Sequence, residues 1–380
     1  MKKILSLFLS AVFSLALAVF PRASEFTEEL NCRSAILVEA SSGTVLYEKN
    51  ADAAYPPASV TKIMTILLVC EAIDDGSVSL TDKVPVSENA SKMGGSQVYL
   101  KVGEEMTLED MLKSVVVASA NDCAVALAEY VRGSEASFVS SMNEKAASLG
   151  MKNTHFENVT GLDDTVKNHV TSARDIALMS VELMTKHPFI TKYTTIWMDT
   201  IRDGQFGLTN TNRLIRFYNG ANGLKTGMTA KAGFCISAAA ARNGMQLIAV
   251  IMGAPDRDTR NAAASKLLDY GFANYAIYGT ESSPLPPLKL TGAEKSTLDI
   301  YHEGFSALLP SSSVRSVTYD TELPEAVKAP VTKGDVIGKI EFFSDGKPIG
   351  KADIKACEDA PRIGLGAVLR KLCSRFFMLK

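Results

Sequence analysis

The sequence has no excess of charge of either sign. Lys and Arg number 40 against 42 Asp and Glu, a formal net charge of −2 over 380 residues. So balanced a chain offers no electrostatic case for binding nucleic acid. Histidine is scarce: the four are His155, His169, His187 and His302. No two stand at helical metal spacing and His-Glu-x-x-His is absent, which argues against a zinc peptidase; no metal and no cofactor is expected. The six cysteines, at 32, 70, 123, 235, 357 and 373, also lack metal-ligand spacing. Cys70, Cys123 and Cys235 lie within apolar patterns and read as small buried hydrophobes; no spacing selects a disulfide pair. Gly-x-Ser-x-Gly is missing too, which argues against an α/β-hydrolase.

What is present is apolar. Hydrophobic residues make up 46% of the chain, enough for one large core and a smaller one. The N-terminus runs Met1-Lys2-Lys3, then an apolar stretch from Ile4 to Phe20, then Pro21-Arg22-Ala23-Ser24. A basic start, a short apolar middle and small residues after it read as a secretory signal peptide over residues 1–23. The alternative is an uncleaved anchor, for which the run is short.

Between these limits, Pro57-Ala58-Ser59-Val60-Thr61-Lys62 opens a helical pattern of Ile63, Ile66, Leu67, Cys70 and Ile73. Ser59 then lies near a helix start, where free amides favour an anion, and Lys62, three residues on, shares its face. A serine needs a base before it is a good nucleophile. A desolvated lysine near other cations has a lowered pKa and can be that base. Ser119-Ala120-Asn121 follows between two helical patterns, and Lys225-Thr226-Gly227 lies in a strand-like stretch.

Ser-x-x-Lys, Ser-x-Asn and Lys-Thr-Gly in this order form the signature of penicillin-binding proteins and class A β-lactamases. At these residues the chain resembles the low-molecular-mass penicillin-binding proteins, specifically serine-type D-alanyl-D-alanine carboxypeptidases. The likeness extends through Ala58 to Thr65, Gly94-Gly95-Ser96, Gly161-Leu162 and Gly271-Phe272, and is close over roughly residues 30 to 280. It implies an α/β (α+β) penicillin-recognising, β-lactamase-like transpeptidase fold: a five-stranded antiparallel sheet flanked by helices, over residues 24–282. It implies acyl transfer from a stem peptide ending in D-Ala-D-Ala, with Ser59 as nucleophile, Lys62 as base and Ser119 as proton relay. Asn121 would hold the substrate amide, and the amides of Ser59 and Met228 would form the oxyanion hole. Lys225 would bring positive charge close to Lys62, lowering its pKa and attracting the substrate carboxylate; Thr226 would bond that carboxylate, and Gly227 would let the substrate backbone approach. Many relatives carry histidine or an aromatic residue where Met228 stands. Arg260 and Arg213 match by resemblance two arginines near the pocket, suited to a carboxylate. The partners implied are the peptidoglycan stem peptide and β-lactam inhibitors.

The element pattern fits this reading. Strands are expected at 34–40 and 44–48, and at Phe234–Ala241 and Met245–Met252 about an Asn243-Gly244 turn. Helices are expected after Thr107, after Asn121, from Ser134 to Leu149, from Ser172 to Pro188, and from Ala262 to Tyr275. Pro284, Pro286 and Pro287 read as a linker into a small all-β domain over 288–360, with strands at Leu298–Tyr301, Val314–Tyr319, Val336–Phe343 and Pro348–Ile354. In residues 361–380, Leu365, Leu369, Leu372, Phe376 and Leu379 share a face, with Arg370, Lys371, Arg375 and Lys380 among them. This basic amphipathic helix suits the outer face of the cytoplasmic membrane, and its alternative is packing on its own domain. An exported wall enzyme is the resulting expectation. Three other readings share the fold: a β-lactamase, a D,D-endopeptidase and a non-catalytic wall-binding protein. The Glu-x-x-Leu-Asn setting of a class A deacylating glutamate is absent between Asn121 and Lys225.

Overall fold

The structure is a computed structural model that describes residues 25–376. The signal-peptide reading of residues 1–23 lies outside them. The chain forms two compact units. One is Glu25–Tyr278 with Ser306–Leu309, and the other is Gly279–Phe305 with the chain from Pro310 onward.

The first unit is built on five antiparallel strands: β1 (Ser34–Glu39), β2 (Val45–Lys49), β3 (Ala221–Thr229), β4 (Gly233–Arg242) and β5 (Met245–Ala254), in the order β2-β1-β5-β4-β3. The inner strands are buried on both faces, and the two-residue repeat of a strand sorts their side chains. Ile36, Val38, Ile248, Val250 and Met252 face one core. Ala35, Leu37, Leu247, Ala249 and Ile251 face the other. The first core is shared with α1 (Lys62–Asp74), α2 (Leu108–Val117), α3 (Asn121–Arg132), α4 (Glu135–Ser148) and α5 (Ala173–Lys186). The second is closed by α6 (Arg257–Asn274) through Ala263, Ala264, Leu267 and Leu268. The β4–β5 hairpin turns where Asn-Gly requires it, with φ +51° at Asn243 and +76° at Gly244.

Helix starts follow side-chain caps. Thr107, Ser134 and Ser172 each accept a backbone N–H three residues on, as the sequence pattern anticipates. Two starts differ. α6 begins at Arg257, five residues before the expected start, because Asp256 caps it through the Thr259 amide at 2.7 Å. Arg260 is thereby inside the helix rather than ahead of it. The α-helix after Ser59 begins only at Lys62: Ala58–Thr61 is a 3₁₀ turn, entered through an Ala58 with φ +51°.

The second unit carries a six-stranded sheet from β6 (Ser283–Thr291), β7 (Thr297–His302), β8 (Thr318–Glu322), β9 (Ala326–Lys328), β10 (Val336–Ser344) and β11 (Lys347–Ala356), in the order β8-β10-β11-β7-β6-β9. The proline-rich stretch expected as a linker is β6 itself. Pro286 and Pro287 fall where the pairing of Leu285 with Ile300 and of Leu288 with Leu298 is out of step, so residues without an N–H sit at the irregularity. The strand expected at Val314–Tyr319 is a 3₁₀ turn over Val314–Ser316, and pairing starts at Thr318. The last element is α7 (Leu365–Phe376).

Candidate active site

The turn at Ser59 is held in an uncommon shape. Ala58 has left-handed backbone, which costs an L-residue about 1–2 kcal/mol and persists only where surroundings enforce it. Two elements enforce it. On one side Gly227 of β3 presses on the turn: a Cβ there would lie 2.8 Å from Ser59 N and 2.9 Å from Pro57 O. On the other, Gly161 (φ +82°) packs so closely that a Cβ would lie 1.8 Å from Ala58 O. The Thr61 hydroxyl donates to the Ala58 carbonyl at 2.8 Å.

Lys62 Nζ lies 2.9 Å from Ser59 Oγ and donates to the Thr160 carbonyl, also at 2.9 Å. The side chain is fully buried. Burial, and then the charge of Lys225, push its pKa well below the ordinary lysine range; the attraction of Asp122 opposes them and is outweighed. Thr65 ties the next turn of α1 to the same segment through the Val159 carbonyl at 2.7 Å. The segment holding Val159–Gly161 reads from sequence as a polar loop. Thr160 was therefore missed as a partner of the lysine, since a backbone carbonyl leaves no trace in residue type.

Ser119 lies between α2 and α3 with φ +63°. Its hydroxyl and Asn121 Oδ1 are buried and bond to no other group among the described residues. The rest of Asn121 is fixed: its backbone N–H donates to the Ser96 carbonyl at 2.7 Å and its Nδ2 to the Gly94 carbonyl at 2.6 Å. Asp122, not anticipated, anchors that loop. Its buried carboxylate accepts the amides of Val98 (3.0 Å), Leu100 (3.1 Å) and Cys123 (2.9 Å).

The third wall is β3, an edge strand of the sheet. Lys225 is 1% exposed, and burial together with the charge of Arg260 lowers its pKa to about 7. Its Nζ donates to the Thr226 carbonyl at 3.0 Å, and the Thr226 hydroxyl bonds to that of Thr211 at 2.8 Å. Arg260 is buried and donates to Asn261 Oδ1 at 2.9 and 3.1 Å; burial and the neighbouring Arg257 and Arg213 lower its pKa to about 10. Ser59, Ser119, Arg213, Thr226, Gly227, Met228 and Arg260 all line one cavity of about 660 Å³. Lys62, Asn121 and Lys225 are buried beneath its wall rather than on it. Met228 is exposed on the rim. Trp197, Phe217 and Arg257 complete the rim and were not foreseen. The Trp197 and Phe217 rings meet edge to face at 6.2 Å, and Arg216 stacks over both at 5.7 Å.

Such an arrangement supports nucleophilic acyl transfer. A hydroxyl sits against an amine of depressed basicity, in a cavity with cationic walls. Comparison with known proteins agrees. Residues 21–256 match the family described as D-alanyl-D-alanine carboxypeptidase, and 289–362 match the C-terminal domain of penicillin-binding protein 5. The chain is 39% identical to D-alanyl-D-alanine carboxypeptidase DacF of Bacillus subtilis, over 98% of each chain. Among solved structures it resembles penicillin-binding protein 5 from Haemophilus influenzae, with TM-score 0.73 and 30% identity over 89% of this chain and all of that one. It also resembles penicillin-binding protein D2 from Listeria monocytogenes in its ampicillin-bound form, with TM-score 0.59 and 32% identity over 64% of this chain and 98% of that one.

Proposed function

The chain belongs to the D-alanyl-D-alanine carboxypeptidase family of serine peptidases, and on that premise we propose how its residues divide the reaction. The substrate is a peptidoglycan stem peptide ending in D-Ala-D-Ala. Ser59 Oγ attacks the carbonyl between the two D-alanines while neutral Lys62 takes the hydroxyl proton. The oxyanion forms against the amides of Ser59 and Met228, the second from the edge strand β3. Ser119 passes a proton to the departing amine. The free D-alanine leaves, and water then hydrolyses the ester at Ser59. Asn121 Oδ1 and the Ser119 hydroxyl, buried with no bond to another described group, are suited to meet the substrate amide and the leaving nitrogen. Thr226, Arg213 and Arg260, with Lys225 behind them, receive the terminal carboxylate. A penicillin mimics the dipeptide and acylates the same hydroxyl.

One observation carries this reading: Lys62 Nζ is 2.9 Å from Ser59 Oγ and buried beside a second lysine, so a base stands at the nucleophile. The test incubates the soluble protein with diacyl-L-Lys-D-Ala-D-Ala and measures free D-alanine. Release by the wild type and a loss of about 10²–10⁴-fold in Lys62→Ala is the expected result. Equal release by the two proteins would overturn the assignment of the base.

The protein is exported and held at the outer face of the cell membrane in this reading. Among the described residues no helix is long and apolar enough to cross a membrane. α7 instead exposes Leu365, Leu369, Leu372 and Phe376 at spacings of four, three and four, as a helix lying in the interface does. Flotation with anionic lipid vesicles that persists after removal of residues 363–380 would exclude the tail as the attachment.

A further inference from the structure

The segment that packs against the nucleophile turn carries two buried titratable groups that the reaction does not use, Asp163 and His169, and the Asp163 carboxylate accepts the Thr229 hydroxyl at 2.6 Å. His169 is 3% exposed, in the first unit, and each ring nitrogen has a partner. The Glu157 backbone N–H donates to Nδ1 at 2.9 Å. Nε2 lies 2.8 Å from the Thr61 hydroxyl. These contacts leave one consistent proton assignment. Nδ1 faces an N–H and must accept, so the ring proton is on Nε2 and points at Thr61 Oγ1. The hydroxyl accepts there, and its own proton goes to the Ala58 carbonyl at 2.8 Å. Ala58 is the left-handed residue directly before Ser59.

We propose that His169 is a positioning residue for acylation: as the neutral Nε2–H tautomer it aims the Thr61 hydroxyl at the Ala58 carbonyl, and so fixes the turn that presents Ser59. The inference rests on Ser59 being the nucleophile. The imidazole is well placed to hold an aim. Its backbone neighbours are pinned by paired bonds, His155 with Val170 at 2.9 and 3.0 Å and Tyr55 with Thr171 at 2.8 and 3.0 Å, and the Phe156 ring lies against it at 5.7 Å. The titratable groups around it are Glu157 and Asp163, which favour the charged ring, and His155, which opposes it; burial outweighs all three and keeps the ring neutral down to about pH 4. A protonated ring would turn an N–H toward the Glu157 amide and break the relay at its first link. A histidine that merely filled the core would need neither tautomer nor hydroxyl.

The experiment measures the second-order rate of Ser59 acylation by a fluorescent penicillin, with thermal melts alongside, for the wild type, Thr61→Val, His169→Ala and His169→Gln. Long-range ¹H–¹⁵N spectra of the imidazoles report the tautomer. Thr61→Val keeps shape and removes the hydroxyl; it is expected to acylate at least about tenfold more slowly while still folded. His169→Ala is expected to fall as far, and His169→Gln, whose amide N–H still reaches Thr61, to recover to within about threefold of the wild type. The spectra should show the Nε2–H form at neutral pH. A folded Thr61→Val that acylates at the wild-type rate, or a His169 ring protonated on Nδ1, overturns the proposal even if His169→Ala fails to fold. Absence of any adduct on Ser59 in the wild type would instead remove the reaction on which the proposal rests.

Discussion

Replacing Gly161 by alanine tests the contact between the polar segment and the nucleophile. Two costs add. At φ +82° a side chain is strained by about 1–2 kcal/mol. The new methyl would also stand 1.8 Å from Ala58 O, 2.4 Å from Ala58 C and 2.7 Å from Thr61 Oγ1, where ordinary contact begins at 3.4 Å. Relief needs a displacement of about 1.6 Å, the difference between 3.4 and 1.8 Å, and the nearest atoms are backbone. Overpacking of this kind costs about 1–3 kcal/mol, so the two together come to roughly 2–5 kcal/mol of stability. The strain falls on Ala58 and therefore on Ser59, where an ångström of misplacement costs about 10²-fold in rate. Urea unfolding and penicillin acylation measure the two effects. Gly150→Ala is the control: its φ is +72° and nothing lies within 4 Å, so it carries the backbone strain alone and should acylate normally. A Gly161→Ala protein no less stable than Gly150→Ala, acylating within threefold of the wild type, would refute the packing described here.

Lys225 links activity to pH. Its pKa of about 7 means that its charge is present below pH 7 and lost above it, so the pull on a terminal carboxylate fades as pH rises. kcat/KM for a peptide ending in D-Ala-D-Ala carboxylate should therefore fall above pH 7; the same alkaline fall for its C-terminal amide would dismiss this cause. His169 makes a separate contribution to stability. Its folded pKa, about 4, is below the ordinary 6.5, so the unfolded chain takes the proton first as pH falls. The contribution is complete above pH 6.5 and lost between 6.5 and about 4, roughly 3 kcal/mol in all. Urea unfolding at pH 7.5 and 4.5 should show a smaller difference for His169→Gln than for the wild type, and an unchanged difference would contradict the burial. Asp122→Asn leaves one acceptor oxygen for three amides and turns an NH₂ toward the others. A loss of about 1–3 kcal/mol with slower acylation is expected, and a thermal midpoint unmoved within a degree would exclude its anchoring of the 94–100 loop.

Much of the scaffold was legible because its causes are local. Thr107, Ser134 and Ser172 cap helices through their own side chains, and Asn243-Gly244 has the residues its turn demands. The strands β4 and β5 announce themselves as continuous apolar runs because both faces are covered. What escaped reading has causes distant in sequence. Arg257 and Arg260 fell outside the helix expected from Ala262, because the Asp256 cap starts it five residues earlier. Pro286 and Pro287 look like a linker until a partner strand tolerates the irregularity they make. Thr160 acts through its carbonyl, Asp122 through amides 22 and 24 residues away, and His169 through a hydroxyl 108 residues away. None of these pairings follows from residue type or spacing.

The chemistry of the site depends on a charge that is withheld. A buried lysine with a carboxylate at bonding distance would stay protonated and could not take a proton from serine. Asp122 is the acid whose field reaches Lys62, yet its oxygens are bonded to the amides of Val98, Leu100 and Cys123. It stabilises the loop under Asn121 and leaves Lys62 with an alcohol and a carbonyl as partners. Neither partner can carry a compensating charge, so burial and Lys225 decide the protonation state. The same packing that holds Ala58 and Ser119 in left-handed backbone also keeps water from the amine. Strain and desolvation are unfavourable by themselves and persist because the helices around α1 form one continuous apolar core. Loosening that core near Val159–Gly161 should thus raise the Lys62 pKa and slow acylation together, while a cavity cut at the distant end of α4 should lower stability and leave both unchanged.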